Sequence, residues 1–139
     1  MLIVATRIRQ AGSKGVGLFA DEKIPAGETF WLYDARFDLT VKVGFDTPQH
    51  TRSFLEKYAT LQPDGWYQLC ADNARFMNHS ERPNTRAIKR QGRIMELVAA
   101  RDIAAGEELT CDYREHCENC RTELGFENLE RKRRRAVRI

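Results

Sequence analysis

Arg75-Phe76-Met77-Asn78-His79-Ser80-Glu81-Arg82-Pro83-Asn84 packs guanidinium, amide, imidazole, hydroxyl and carboxylate groups into one short run. Aromatic and apolar side chains stand directly before the polar ones, and Pro83 halts regular structure after them. A second stretch answers it downstream: Gly106-Glu107-Glu108-Leu109-Thr110-Cys111-Asp112-Tyr113. We read the two as meeting in space to form one site, and the rest of the chain is read around that expectation.

The chain has 139 residues, the size of one domain. At 42% hydrophobic it can bury a core. It contains no run of 18 apolar residues, so no membrane partner is expected. The N-terminal Met1-Leu2-Ile3-Val4-Ala5-Thr6-Arg7 is charged too early for a secretory signal, and the expectation is a cytoplasmic protein or one exported, as to a host nucleus, by a route the sequence does not show. The net charge of +3 hides an asymmetry. Arg131, Lys132, Arg133, Arg134, Arg135 and Arg138 crowd the C-terminus. Setting these six aside leaves 17 of the 23 basic residues against 20 acidic ones, a body near −3. A mildly acidic body suits a basic peptide substrate. The tail reads either as a solvated end or as a contact for nucleic acid or chromatin through Arg131–Arg138.

Leu2 to Arg9 is β-branched and alternating, which predicts a strand. A glycine-rich loop follows, Ala11-Gly12-Ser13-Lys14-Gly15-Val16-Gly17; it lacks the third glycine and following helix of a dinucleotide site. Lys23-Ile24-Pro25-Ala26-Gly27-Glu28 is echoed by Asp102-Ile103-Ala104-Ala105-Gly106-Glu107, predicting two similar strand-turn-strand units with glycine in the turn. Leu39 to Val43 alternates as a strand. Thr47-Pro48 predicts a helix start with a capping hydroxyl, and Phe54, Leu55, Tyr58 and Leu61 its apolar face. Strands are predicted at 66–70, 85–90, 93–99 and 109–111, with Gln91-Gly92 joining the middle pair. A polar helix is predicted over 127–137. The expected architecture is mainly β, with one inserted helix and a helical basic tail: a domain over 1–115 and a separate segment over 116–139.

No Gly-x-Ser-x-Gly elbow and no His-Glu-x-x-His helix is present. His79-Ser80 is not a nucleophile–base pair, because neighbours in an extended segment point to opposite faces. Four cysteines, Cys70, Cys111, Cys117 and Cys120, are too uneven for a disulfide scaffold. Cys117-Glu118-Asn119-Cys120 is half of a zinc site, with Cys111 and His116 as further donors, but three histidines and this spacing do not complete one, and no metal is expected.

Taken in order, three motifs resemble the SET-domain family of protein-lysine methyltransferases. They are Ser13-Lys14-Gly15-Val16-Gly17-Leu18-Phe19-Ala20, then Arg75-Phe76-Met77-Asn78-His79-Ser80 with Pro83-Asn84, then Ala100-Arg101-Asp102-Ile103 through Tyr113. The resemblance runs from about Ser13 to Tyr113 and is similar to the minimal forms found in bacteria and viruses. It implies a β-fold of several small sheets whose C-terminal segment threads beneath a preceding loop, a pseudoknot that brings Asn78-His79 beside Tyr113. It implies S-adenosyl-L-methionine as cofactor, held by Lys14, Gly15, Val16, Gly17, Arg75, Phe76, Asn78 and His79, with Phe126 over the adenine. It implies Tyr113 as the catalytic tyrosine and Tyr33, Tyr67 and Tyr113 as walls of a substrate-lysine channel, where aromatic faces suit a methylammonium product. The implied partner is a protein presenting a lysine, histone-like among the candidates. Departures are visible. Glu81 occupies the place where zinc-binding members carry a cysteine, and Leu32-Tyr33-Asp34-Ala35 matches a common Glu-Tyr-x-Gly only loosely.

Two other classes are compatible with these residues. A non-catalytic SET-like module would bind a partner without methyl transfer. A nucleic-acid binder using the tail would lose affinity steeply with salt, although the tail carries no interleaved aromatics for single-strand stacking.

Overall fold

The computed structural model describes residues 1–116. Four small sheets form within them. Strands β1 (Thr6–Gln10) and β2 (Val16–Ala20) pair antiparallel around the glycine-rich loop, which turns through a short 3-10 segment at Gly12–Lys14. Strands β3 (Thr29–Leu32), β8 (Thr85–Arg90) and β9 (Arg93–Ala99) form a sheet in the order β3-β9-β8. Strands β4 (Leu39–Lys42), β5 (Thr60–Leu61) and β6 (Trp66–Leu69) form another, ordered β4-β6-β5. The helix α1 (Gln49–Tyr58) lies between β4 and β5 in the chain. Last, β7 (Asn78–His79) pairs parallel with β10 (Thr110–Cys111), and a short helix α2 (Tyr113–His116) follows.

Local chemistry explains most of this. Gln91 and Gly92 take φ of 52° and 77°, the double left-handed turn that matches the twist of a tight hairpin, and β8 and β9 pair across it. The echoed motifs form the predicted pair of turns. Gly27 and Gly106 adopt φ of 83° and 87°, while Glu28 N donates to Pro25 O and Glu107 N to Ala104 O, both at 3.1 Å. The two units also recognise each other, since Ile24 and Ile103 exchange both backbone hydrogen bonds at 2.9 Å. Both isoleucines are buried in a core that includes Leu18, Phe30, Trp31, Met77, Leu97 and Leu109. Each large side chain so buried contributes about 1.5–3 kcal/mol.

Three local expectations are corrected. The N-terminal segment is not one strand from Leu2 to Arg9. Leu2 bridges Trp31 and Ile3 N donates to Phe30 O, so the first residues join β3 before the chain crosses to pair with β2. The Thr47 hydroxyl does not cap α1; it accepts from Gly44 N at 2.8 Å, and Pro48 stands at the cap. Leu61 leaves the helix face for β5, because the chain becomes extended at Ala59 and pairs with β6. Of the expected apolar face only Leu55 is fully buried, while Phe54 is 46% exposed and packs on Tyr58. The helix expected over 127–137 lies outside the described residues.

The parallel β7–β10 pair spans only two residues, and buried polar side chains supplement it. Asn84, 1% exposed, accepts from Thr110 N at 2.9 Å and donates to Glu108 O at 2.7 Å and Glu107 Oε2 at 3.1 Å. Thr85 Oγ1 donates to Thr110 O at 2.7 Å, and Ser80 N to Cys111 O at 3.0 Å. The residues flanking Pro83 therefore hold the returning chain. Asn84→Ala orphans the Thr110 N–H and the Glu108 carbonyl, and is expected to cost about 2–4 kcal/mol in urea unfolding; Asn84→Asp keeps the acceptor but turns a carboxylate oxygen onto the Glu108 carbonyl and the Glu107 carboxylate, and should cost at least as much.

The same clamp has an acid limit. Arg101 donates to the Glu107 carboxylate and, against the cost of burial, holds its pKa down at about 2. A carboxyl lowered on folding stabilises fully above its unfolded value of 4.5, and that contribution is lost as pH falls toward 2. The urea midpoint of the native chain should therefore fall more steeply between pH 5 and pH 2 than that of Glu107→Gln.

Candidate functional site

The β7–β10 pair brings the two polar stretches together, and Tyr113 emerges directly beyond β10. Its backbone N–H donates to His79 Nδ1 at 3.2 Å, and its hydroxyl donates to Met77 O at 2.9 Å. The two rings lie 5.4 Å apart, tilted by 48°. The tyrosine is thus held at one end by His79 of β7 and at the other by Met77 just before that strand. Burial, above all other causes, pushes its phenol well above the ordinary value of 10.0. Tyr113 is a neutral hydroxyl throughout the physiological range.

The glycine loop is tied to the same place. Asn78 Nδ2 donates to Val16 O at 3.0 Å and to Glu108 Oε1 at 2.8 Å. Lys14 Nζ reaches Glu108 Oε2 at 3.6 Å. Gly17 lies beneath this bridge: a Cβ there would fall 2.6 Å from Glu108 Oε1 and 2.9 Å from Asn78 Nδ2, so glycine is what lets β2 pass. At Gly15 the backbone takes φ of 85°, and nothing lies within 4 Å of where a Cβ would be. The loop therefore offers open backbone on one side and a bridge to β7 on the other.

Arg75 and Phe76 close the 3-10 turn Asn73–Phe76 that leads into β7. Arg75 Nη1 donates to Ala71 O and Asp72 O, and its guanidinium lies 4.6 Å from the centre of the Phe76 ring. Tyr33 packs against the central core beside the end of β3. Tyr67 is buried on β6 and lines a cleft of about 210 Å³ with Val43, Arg52, Glu56, Leu61 and Gly65. So the contacts join Lys14, Val16, Gly17, Asn78, His79 and Tyr113 into one connected group, with Phe76 adjoining through the chain. Phe126, Cys117, Cys120 and Arg131–Arg138 lie outside the described residues. Among the described residues no cluster of three or more metal-competent side chains occurs. Cys70 and Cys111 are free thiols; burial pushes Cys70 up to about 12 and Cys111 higher still, so neither is a ready nucleophile.

Sequence reasoning assigned no role of its own to Glu108 or to the Met77 carbonyl. Glu108 joins the glycine loop to Asn78, and its position two residues before Thr110 was the available signal. The Met77 carbonyl leaves no mark in sequence, since any residue supplies one.

The SET-domain family model matches residues 15–114, from inside the glycine loop to one residue past Tyr113. The chain belongs to the SET-domain family. Its fold is similar to that in a humanized mutant of the Chaetomium thermophilum Polycomb Repressive Complex 2 bound to the inhibitor GSK126, at 22% identity over 87% of this chain with a TM-score of 0.61. It is similar also to the methyltransferase domain of human histone-lysine N-methyltransferase SETMAR, at 24% identity over 82% of this chain with a TM-score of 0.58. The chain spans 16% and 46% of those two chains. No curated protein sequence matches it.

In this SET domain the Gly17 contact is testable. Gly17→Ala should separate Asn78 from Glu108 and cost about 1–3 kcal/mol in denaturant unfolding. Adding Glu108→Ala should recover part of that loss, because the carboxylate in the way is gone.

Proposed function

We propose that this SET domain is an S-adenosyl-L-methionine-dependent protein-lysine N-methyltransferase. The observation that carries the reading is the double restraint on Tyr113, through His79 Nδ1 and Met77 O, beside the strand bearing Asn78. Proteins of similar fold, a human histone-lysine N-methyltransferase among them, support the same reaction class.

The residues present fit this cofactor. Open backbone at Gly15 admits a ligand close to the loop. The Met77 carbonyl and the side-chain oxygens of Asn78 and Tyr113 put electron-rich oxygens beside the loop, a polar setting suited to a sulfonium, while Lys14 balances the Glu108 carboxylate. When bound, S-adenosyl-L-methionine supplies a methyl group on an electrophilic sulfonium. Lys14, Gly15, Val16 and Gly17, with Arg75, Phe76, Asn78 and His79, would hold it, and Phe126 is the proposed cover for its adenine.

Tyr113 orients rather than deprotonates. A phenol that donates to Met77 O accepts at the same oxygen, so an incoming lysine amine can donate to Oη and have its lone pair aimed by that bond. A neutral hydroxyl whose pKa is raised by burial does not remove the amine's proton near pH 8. That proton, with an unperturbed pKa of about 10.4, leaves to solvent before transfer. Tyr33, Tyr67 and Tyr113 are the proposed channel walls. The acidic body of the chain favours a basic protein segment, histone-like among the candidates, and action in the cytoplasm is part of the proposal.

Labelled cofactor and a panel of basic proteins should reveal transfer by the native chain. Tyr113→Phe should lower kcat about 100-fold or more with little change in cofactor affinity. The rate should rise from pH 7 to pH 9 as the substrate amine loses its proton, with no limb from Tyr113. Cofactor binding without transfer to any protein would sink the catalytic reading in favour of a binding module.

A further inference from the structure

His79 is linked on both ring nitrogens. Nδ1 lies 3.2 Å from the Tyr113 backbone nitrogen, and Nε2 lies 3.2 Å from Glu81 Oε1. A backbone N–H can only donate, so Nδ1 must be the acceptor, and in the neutral ring the proton resides on Nε2. That proton faces a carboxylate. Glu81 is itself held: Arg114 Nη2 reaches Glu81 Oε2 at 3.2 Å and Asp112 Oδ2 at 2.9 Å, while Arg114 Nε adds bonds to both Asp112 oxygens. Asp112 Oδ1 also stands 3.8 Å from His79 Nδ1, so a proton on Nδ1 would find an acid there at the expense of the Tyr113 contact. Two tautomers thus compete, and the carboxylate on the Nε2 side favours the one that holds Tyr113.

We propose that Glu81 is a positioning residue, selecting the Nε2–H tautomer of His79 so that Nδ1 holds the Tyr113 backbone in place. Arg114 fixes Glu81 and, by bonding Asp112, engages the acid that favours the other tautomer. The link runs from Glu81 through His79 to Tyr113, with no contact between Glu81 and the reacting groups required. Its consequence for catalysis rests on the methyltransferase reading above; the tautomer and the backbone contact do not. Glu81 is 64% exposed on its side chain, so water partly replaces it when removed and the effect is moderate.

The test uses the full chain with ¹⁵N-labelled histidine. Two-bond proton–nitrogen spectra should show His79 in the native chain as the Nε2–H form. In Glu81→Ala they should show a mixture with a substantial Nδ1–H share, and in Glu81→Gln, whose amide oxygen still accepts, a return toward the native pattern. Hydrogen exchange of the Tyr113 amide should speed by about tenfold in Glu81→Ala. Exchange of the Ser80 amide, bonded to Cys111 O within the same pair of strands, should stay unchanged and so exclude a general loosening. With methyl transfer measured alongside, kcat should fall by about tenfold in Glu81→Ala with KM unchanged, and recover in Glu81→Gln. An Nδ1–H form in the native chain, or an unaltered tautomer in Glu81→Ala, overturns the proposal. So does a tautomer change that leaves Tyr113 exchange untouched. If the native chain transfers no methyl group, the catalytic reading fails, and the spectra and exchange rates still decide the role of Glu81.

Discussion

Two residues of parallel strand, Asn78–His79 against Thr110–Cys111, are the contact on which this molecule depends. So short a ladder is weak alone, since each backbone hydrogen bond nets only about 1 kcal/mol. What makes it hold is the burial of Asn84 and Thr85 against the same returning segment. An amide satisfied on both its oxygen and its nitrogen in a dry site is costly to break, because every partner would be left unpaired. The polar stretch at 75–84 thus does two tasks: its first half presents side chains to the site, and its last residues fasten the chain that brings Tyr113 back.

The second support is the meeting of the echoed turns. Ile24 and Ile103 exchange backbone hydrogen bonds, and Leu109 N donates to Leu18 O, so the final motif lies along the opening one. This aligns Glu108 with the glycine loop and places Asn78 between them. Glycine is needed at position 17 because two polar side chains occupy the space a methyl would take. The site is accordingly built from three segments distant in the chain, none of which is a site alone.

Electrostatics around the site are arranged in opposite senses on its two sides. Within it, burial keeps Tyr113 neutral, and its hydroxyl is bonded to the Met77 carbonyl. At its edge, the half-buried His79 and Asp112 and the exposed Glu81 and Arg114 form a network whose value lies in geometry more than energy. Surface pairs of this kind add little stability, yet a carboxylate on one imidazole nitrogen decides what the other nitrogen can accept.

Much of this was legible in the residues. Alternation and a Gln-Gly turn marked the β8–β9 hairpin to its ends, and repeated Ile-x-Ala-Gly-Glu marked both left-handed glycine turns, because turn chemistry is local. The three ordered motifs marked the family. Local signals failed where a segment had two partners to choose from. Leu2 and Ile3 alternate like the strand after them, but pair with β3; Leu61 has helical spacing, but β6 offers its backbone a ladder. By itself the sequence determined which residues are polar, which turns are possible and which family the chain joins. Only the tertiary structure decided that the Met77 carbonyl and His79 Nδ1 hold Tyr113, that Glu108 joins the glycine loop to Asn78, and that Glu81 faces His79 Nε2. Those contacts follow from the direction and register of the returning strand, which no local pattern encodes.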